Sequence, residues 1–97
     1  MHRRKQYVAM IQLRDSPENI ERMLIIAEKF KPQILKFEEI KTGADIYFIS
    51  KEAANHLASE LRRHFKLWTK LSSEAYSWDQ QKNRPKYKLV ILMRARE

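Results

Sequence analysis

Three histidines, twelve carboxylates and twenty lysines or arginines are the groups of this chain that could do chemistry. Acid–base or metal chemistry would need some of them paired at short range. His2, His56 and His64 lack the i, i+4 spacing of a helical metal site. Glu38 and Glu39 are adjacent in a strand-like stretch, so they point to opposite faces and cannot act as a pair. Glu18 and Glu21 open a helical segment and His64 closes another, positions that the helix dipole accounts for. No serine sits in a nucleophile elbow. The absence of cysteine excludes disulfides, Cys-based zinc sites and thiol catalysis. The chain reads as non-enzymatic, with no catalytic residue, metal ligand or cofactor.

The cations are a different matter, because they cluster. Lys82, Arg84, Lys86, Lys88, Arg94 and Arg96 follow one another with no acid between residues 80 and 96. Arg62, Arg63, Lys66 and Lys70 form a second group, and Arg3, Arg4 and Lys5 a third. A local excess of this kind suits phosphate contacts, since interleaved carboxylates would cancel the field. The net charge of +8 and the pI near 9.9 point the same way, towards nucleic acid or another polyanion.

These groups are positioned by a short series of elements. "KQYVAMIQLR" alternates as a strand, with Tyr7, Ala9, Ile11 and Leu13 on one face and Val8, Met10, Gln12 and Arg14 on the other. "DSPENIERMLIIAEKFKP" is a helix capped by Ser16, with Pro17 in its first turn and Pro32 ending it. Its buried stripe is Ile20, Met23, Leu24, Ala27 and Phe30. "QILKFEEIK" and "ADIYFIS" form a hairpin of two strands. Leu35 and Phe37 share one face of the first; Ile46 and Phe48 oppose Tyr47 and Ile49 in the second. Gly43, the sole glycine, falls between them and is expected at positive φ in the turn. Ser50 caps a second helix with the stripe Ala54, Leu57, Ala58, Leu61 and Phe65, leaving His56, Glu60 and Arg63 outside. A long hairpin follows, with a polar turn "QQKNRP" and a last strand that puts Tyr87, Leu89, Ile91 and Met93 towards the core.

The predicted fold is α+β: a two-layer sandwich in the order β-α-β-β-α-β-β, with both helices on one face of a mainly antiparallel sheet. Ninety-seven residues, 43% of them hydrophobic, make a single domain over residues 1–97 with one modest core. No apolar run approaches the length of a membrane span, and the basic N-terminus lacks the apolar stretch of a secretory signal.

Several spaced residues resemble the middle part of the Nmd-three family, the large-ribosomal-subunit export adapters and their archaeal relatives. They are Gln12 and Arg14 in the first strand, then Glu39, Lys41, Gly43, Asp45, Tyr47 and Phe48 across the first hairpin. Ala54, Leu57 and Leu61 follow in the second helix, then Ser72 seven residues before Asp79, and Asn83 with the Tyr87–Lys88 pair. The resemblance runs over residues 6 to 96. It implies a ribosome-binding factor acting late in large-subunit maturation or export, near the tRNA exit site, with rRNA and ribosomal proteins as partners. It also implies a cytoplasmic location, nucleocytoplasmic in a nucleated cell. The family's zinc-binding N-terminal part, with its paired Cys-x-x-Cys motifs, is not in these 97 residues, so the chain is expected to be the middle part of a longer member or a reduced relative.

The sheet face away from the helices has an unusual apolar content. Alternation assigns it Val8, Met10, Tyr47, Ile49, Val90 and Leu92, with Trp68, Tyr76 and Trp78 joining if no bulge intervenes. One reading is a protein interface, to a neighbouring domain or a second copy. Another is a base-stacking platform of a stand-alone RNA-binding domain, although Ala44-Asp45-Ile46 stands where the RNA-recognition motif has its glycine-aromatic signature. A small-molecule-sensing module of ferredoxin-like shape is a third, with no pocket signature to support it.

Overall fold

In the computed structural model, which describes residues 7–96, five strands and two helices follow in the expected order. They are β1 (Ala9–Arg14), α1 (Pro17–Ala27), β2 (Ile34–Ile40), β3 (Gly43–Phe48), α2 (Lys51–His64), β4 (Leu67–Asp79) and β5 (Arg84–Ala95). The strands form one sheet in the order β2-β3-β1-β5-β4. Only the β1–β5 pair is parallel; the other three are antiparallel. This is the α+β two-layer arrangement, with both helices on one side.

Local chemistry sets the helix starts. Ser16 Oγ accepts a hydrogen bond from the Asn19 amide (3.3 Å), Pro17 follows without an N–H to satisfy, and Asp15 accepts from Ser16 N (2.6 Å) and Asn19 Nδ2 (3.1 Å). Ser50 Oγ caps α2 in the same way through the Ala53 amide. The α-helical part of the first helix ends at Ala27, earlier than the periodicity predicts, and Glu28–Gln33 continues as a 3-10 helix that contains Pro32. A proline ring meets the carbonyl four residues back in an α-helix, and the tighter winding relieves that contact.

The core lies between helices and sheet. Ile11 and Leu13 of β1, Ile46 and Phe48 of β3, and Ile91 and Met93 of β5 are fully buried against Met23 of α1 and Leu57 and Leu61 of α2. Leu24, Phe30, Phe65 and Leu89 pack at its margin. Three expected core positions are left outside. A register shift between Ile34 and Lys36 puts Leu35 at a bulge, and β2 is an edge strand beyond the helices' cover, so Leu35 and Phe37 are both about two-fifths exposed (41% and 40%). Tyr87 is exposed because the β4–β5 hairpin outruns the helical layer.

That overhang is the main departure from a plain sandwich. β1 pairs with β5 only from Leu89 to Arg94, whereas β4 pairs with β5 down to Arg84. Residues 84–88 and their partners therefore run on as a two-stranded arm, and the molecule measures 44 × 29 × 23 Å. The turn at the tip is residues 80–83, with Asn83 at φ 51°. It is shorter than expected, because β5 begins before Pro85. Pro85 pairs opposite Trp78 where β5 has a neighbour on one side only, a place where a missing N–H is tolerated.

Within the helical layer, charge ties the 3-10 segment to α2. Lys29 Nζ, in the 3-10 segment, lies 2.6 Å from Glu60 Oε1 on α2. That hydrogen bond holds the Glu60 carboxyl below its usual range; burial opposes it, and the charges of Lys29, His64 and Arg63 add to the lowering. A depressed carboxyl contributes stability above its unfolded pKa and loses it as pH falls through the folded value. Lys29→Met is therefore expected to melt below the parent at pH 7, and the gap between the two melting curves should close on acidification through the carboxylate range.

Candidate nucleic-acid interface

The open sheet face is built by alternation from the observed register. Met10, Gln12 and Arg14 of β1 lie beside Val90, Leu92 and Arg94 of β5, and Trp68, Lys70, Ser72 and Glu74 of β4 complete that side. On the other flank stand Asp45 and Tyr47 of β3, then Lys36 and Glu38 of β2. The apolar members Met10, Tyr47, Val90 and Leu92 are half-buried and Trp68 is exposed.

One expected member of this face, Val8, is elsewhere. A bend at Val8 breaks the alternation, so Tyr7 comes to the open face beside Tyr47, while Val8 lines a cleft next to α2 and the hairpin arm. Ile49 lies just past the end of β3, with its amide held by the Gln33 carbonyl at 2.8 Å. A bulge between Ala75 and Ser77 changes the parity of β4, which takes Trp78 off this face; the side chains of Tyr76 and Asp79 lie outside the described residues.

Cations lie over aromatic rings at several points of the face. Lys36 Nζ is 4.6 Å from the centre of the Tyr47 ring, Tyr47 meets Tyr7 edge-to-face at 4.8 Å and 74°, and Lys88 Nζ sits 3.8 Å over Tyr7. At the far edge the Arg96 guanidinium lies 4.9 Å over Trp68. Such contacts contribute about 0.5–1 kcal/mol each at exposed sites and hold the cations in place. Burial first, then the carboxylates of Glu38 and Asp45, push the Tyr47 hydroxyl above its ordinary pKa, so it stays a neutral donor.

The cationic clusters of the sequence separate in space. Lys70, Lys86, Lys88, Arg94 and Arg96 lie on the open face or its arm by register and by the Arg96–Trp68 contact. Lys66, between α2 and β4, accepts the Arg96 amide on its carbonyl (3.0 Å) and so sits beside that face. Arg62 and Arg63 close α2 on the helical layer, where Arg62 donates to Ser59 Oγ (3.3 Å) and both complement the dipole. Arg3, Arg4 and Lys5 lie outside the described residues.

Sequence reasoning missed a cleft of about 320 Å³ under the arm, where Lys82, Arg84 and Lys86 meet Lys51 from the start of α2, with Val8, Pro85 and Tyr87 alongside. No carboxylate lines it. Lys51 carried no signal, because only the tertiary fold brings the α2 start beside a hairpin thirty residues later.

The remaining spaced residues form one structural unit. Gln12 pairs opposite Asp45, and Arg14 opposite Gly43. Arg14 Nη1 donates to Asp45 Oδ1 and to the Leu13 carbonyl, both at 2.9 Å. Asp45 is only 9% exposed, and Arg14 is the cation that faces it. Arg14→Met should cost about 1–3 kcal/mol by leaving a nearly buried carboxylate unmatched, and adding Asp45→Asn should restore part of the loss in a urea titration. Gly43 has the positive φ expected of it, but it does not sit in the turn. The turn is Lys41-Thr42, and Gly43 opens β3 at φ 159°, a backbone conformation that side chains other than glycine rarely adopt. It is also required by proximity, because a Cβ there would stand 1.7 Å from the Leu13 carbonyl oxygen.

Fold and site together define a basic two-layer α+β domain whose uncovered sheet carries cations laid over aromatic rings. Residues 6–95 match the family model for the second domain of NMD3. The chain belongs to that family, which is a family of ribosome-associated adapters. No match is found among curated proteins. Among the described residues, no helix is long and apolar enough to cross a membrane.

Proposed function

We propose that this chain is the ribosome-binding module of an NMD3-like factor, acting in maturation or export of the large ribosomal subunit by holding rRNA phosphates and adjoining ribosomal protein. The observation that carries the reading is the gathering of Lys36, Lys70, Lys86, Lys88, Arg94 and Arg96 on one sheet face and its arm, against Glu38, Glu74 and the Arg14-paired Asp45 among the described side chains. The basic cleft under the arm extends the same field. Base stacking is the weaker mode, since the Tyr7–Tyr47 pair is edge-to-face and Lys36 and Lys88 already lie against those rings. The half-buried Met10, Val90 and Leu92 suit contact with protein within the same footprint, either ribosomal or a neighbouring domain of a longer chain. In that longer chain this domain would be the middle part, with a zinc-binding part before it.

Co-sedimentation with purified large subunits across a salt series tests the reading. Affinity is expected to fall with a log–log slope of about −0.7 to −0.9 for each phosphate neutralised. Salt-independent binding, or equal binding to small subunits, would overturn it.

A further inference from the structure

On the side of the molecule formed by α1 and the β2–β3 turn lies a groove of about 410 Å³ whose character is opposite to that of the basic face. Ile20 and Leu24 line it from α1, and Ile25 and Ile40 stand exposed at it (64% and 39%). Asp15, Glu21, Glu28 and Glu39 line it too, against a single cation, Lys41. Asp15 is engaged in capping α1. Glu21, Glu28 and Glu39 are exposed and make no ion pair among the described residues.

In a chain of net charge +8, four of the twelve carboxylates border one apolar groove. Polyanionic RNA is repelled from it, so the phosphate-binding reading does not use this surface. We infer that the groove docks a basic segment of a partner protein, with two aliphatic side chains entering between Ile25 and Ile40 and flanking lysines or arginines meeting Glu21, Glu28 and Glu39. Charge complementarity selects the occupant: an acidic or neutral segment would leave three carboxylates facing its apolar anchors without compensation. α1 is 11 residues, about 16 Å long, which fits three turns of an amphipathic helix laid alongside it.

The test uses a fluorescein-labelled 14-residue peptide with leucines at helical i, i+3, i+4 and i+7 spacing and lysines elsewhere. One control replaces the lysines by glutamates, and another replaces the leucines by serines. Anisotropy is expected to show saturable binding of the first peptide only. The backbone amide shifts of the ¹⁵N-labelled chain should change within residues 20–28 and 39–43. Ile25→Ser, and separately Glu21→Gln with Glu28→Gln and Glu39→Gln, should each weaken binding at least tenfold. All these positions are exposed, so the variants keep the parent's circular dichroism melt. Their salt-dependent co-sedimentation with large subunits should also be unchanged, which separates this surface from the phosphate-binding one. Equal binding by parent and variants, amide shifts confined to the open sheet face, or self-association of the chain through Ile25 would each overturn the inference.

Discussion

Replacing Gly43 by alanine is expected to cost about 3 kcal/mol or more of folding stability, at the upper end of what one substitution does. The added carbon would sit 1.7 Å from the Leu13 carbonyl oxygen and 2.8 Å from its carbon. Both are backbone atoms of the neighbouring strand and cannot rotate away. β1 and β3 must separate, and they carry Ile11, Leu13, Ile46 and Phe48 at the middle of the core. Arg14 also moves, because the same Leu13 carbonyl accepts its guanidinium. Gly43→Asn separates this cause from a turn requirement. Asparagine tolerates left-handed turn positions, so a turn glycine would accept it, whereas a close-approach glycine rejects it as it rejects alanine. Urea titration of both variants decides. An asparagine variant as stable as the parent would return Gly43 to the turn.

Gly43 also shows how far the sequence could be read. Its uniqueness marked it as structurally constrained, but the constraint lies in Leu13, thirty residues away, which no local pattern contains. The same division holds elsewhere. Alternation placed Met10, Tyr47, Val90 and Leu92 on one face because strand periodicity is local. It failed at Val8, Leu35 and Trp78, where a bend or a bulge shifts the parity in answer to a partner strand. Tyr87 continues the apolar rhythm of β5 beyond the point where any helix remains to cover it. The basic run of the last hairpin was legible; its convergence with Lys51 was not, nor was the acidic groove, whose Glu28 and Glu39 meet only through the packing of α1 on the first hairpin.

The second large effect concerns the arm. Changing Lys82, Arg84, Lys86 and Lys88 together to glutamine is expected to abolish large-subunit co-sedimentation at physiological salt while leaving the fold intact. Each lost phosphate contact removes about 0.7–0.9 from the magnitude of the log–log salt slope, so the slope should shrink by about 3. Binding should weaken on every rRNA segment alike, since phosphates carry no sequence code. None of the four is in the core; Lys82, Arg84 and Lys86 are exposed, and Lys88 lies over Tyr7. Near-parental melting is therefore expected, lowered slightly by the loss of surface contacts such as Lys88–Tyr7. Parental co-sedimentation with a parental melt would make the arm a bystander and move the contact to Lys70, Arg94 and Arg96.

The strand order sets the schedule on which the chain can fold. β5 is the last of the five strands to be synthesised, yet it lies second from one edge, between β1 and β4. Until it has been made, β4 has no partner at all and one side of β1 is bare, so the nascent chain holds only the β2-β3-β1 half of its sheet under α1 and α2. Completion comes in one late step, when the β4–β5 hairpin zips and β5 docks in parallel against a strand some eighty residues earlier. Pairing at that separation is slow, and an uncovered apolar strand edge attracts other chains while it waits. Truncations or ribosome stalls before Arg84 should therefore leave aggregating half-sheets, whereas docking of β5 closes β1 and leaves β2 and β4 as the edges of the described sheet.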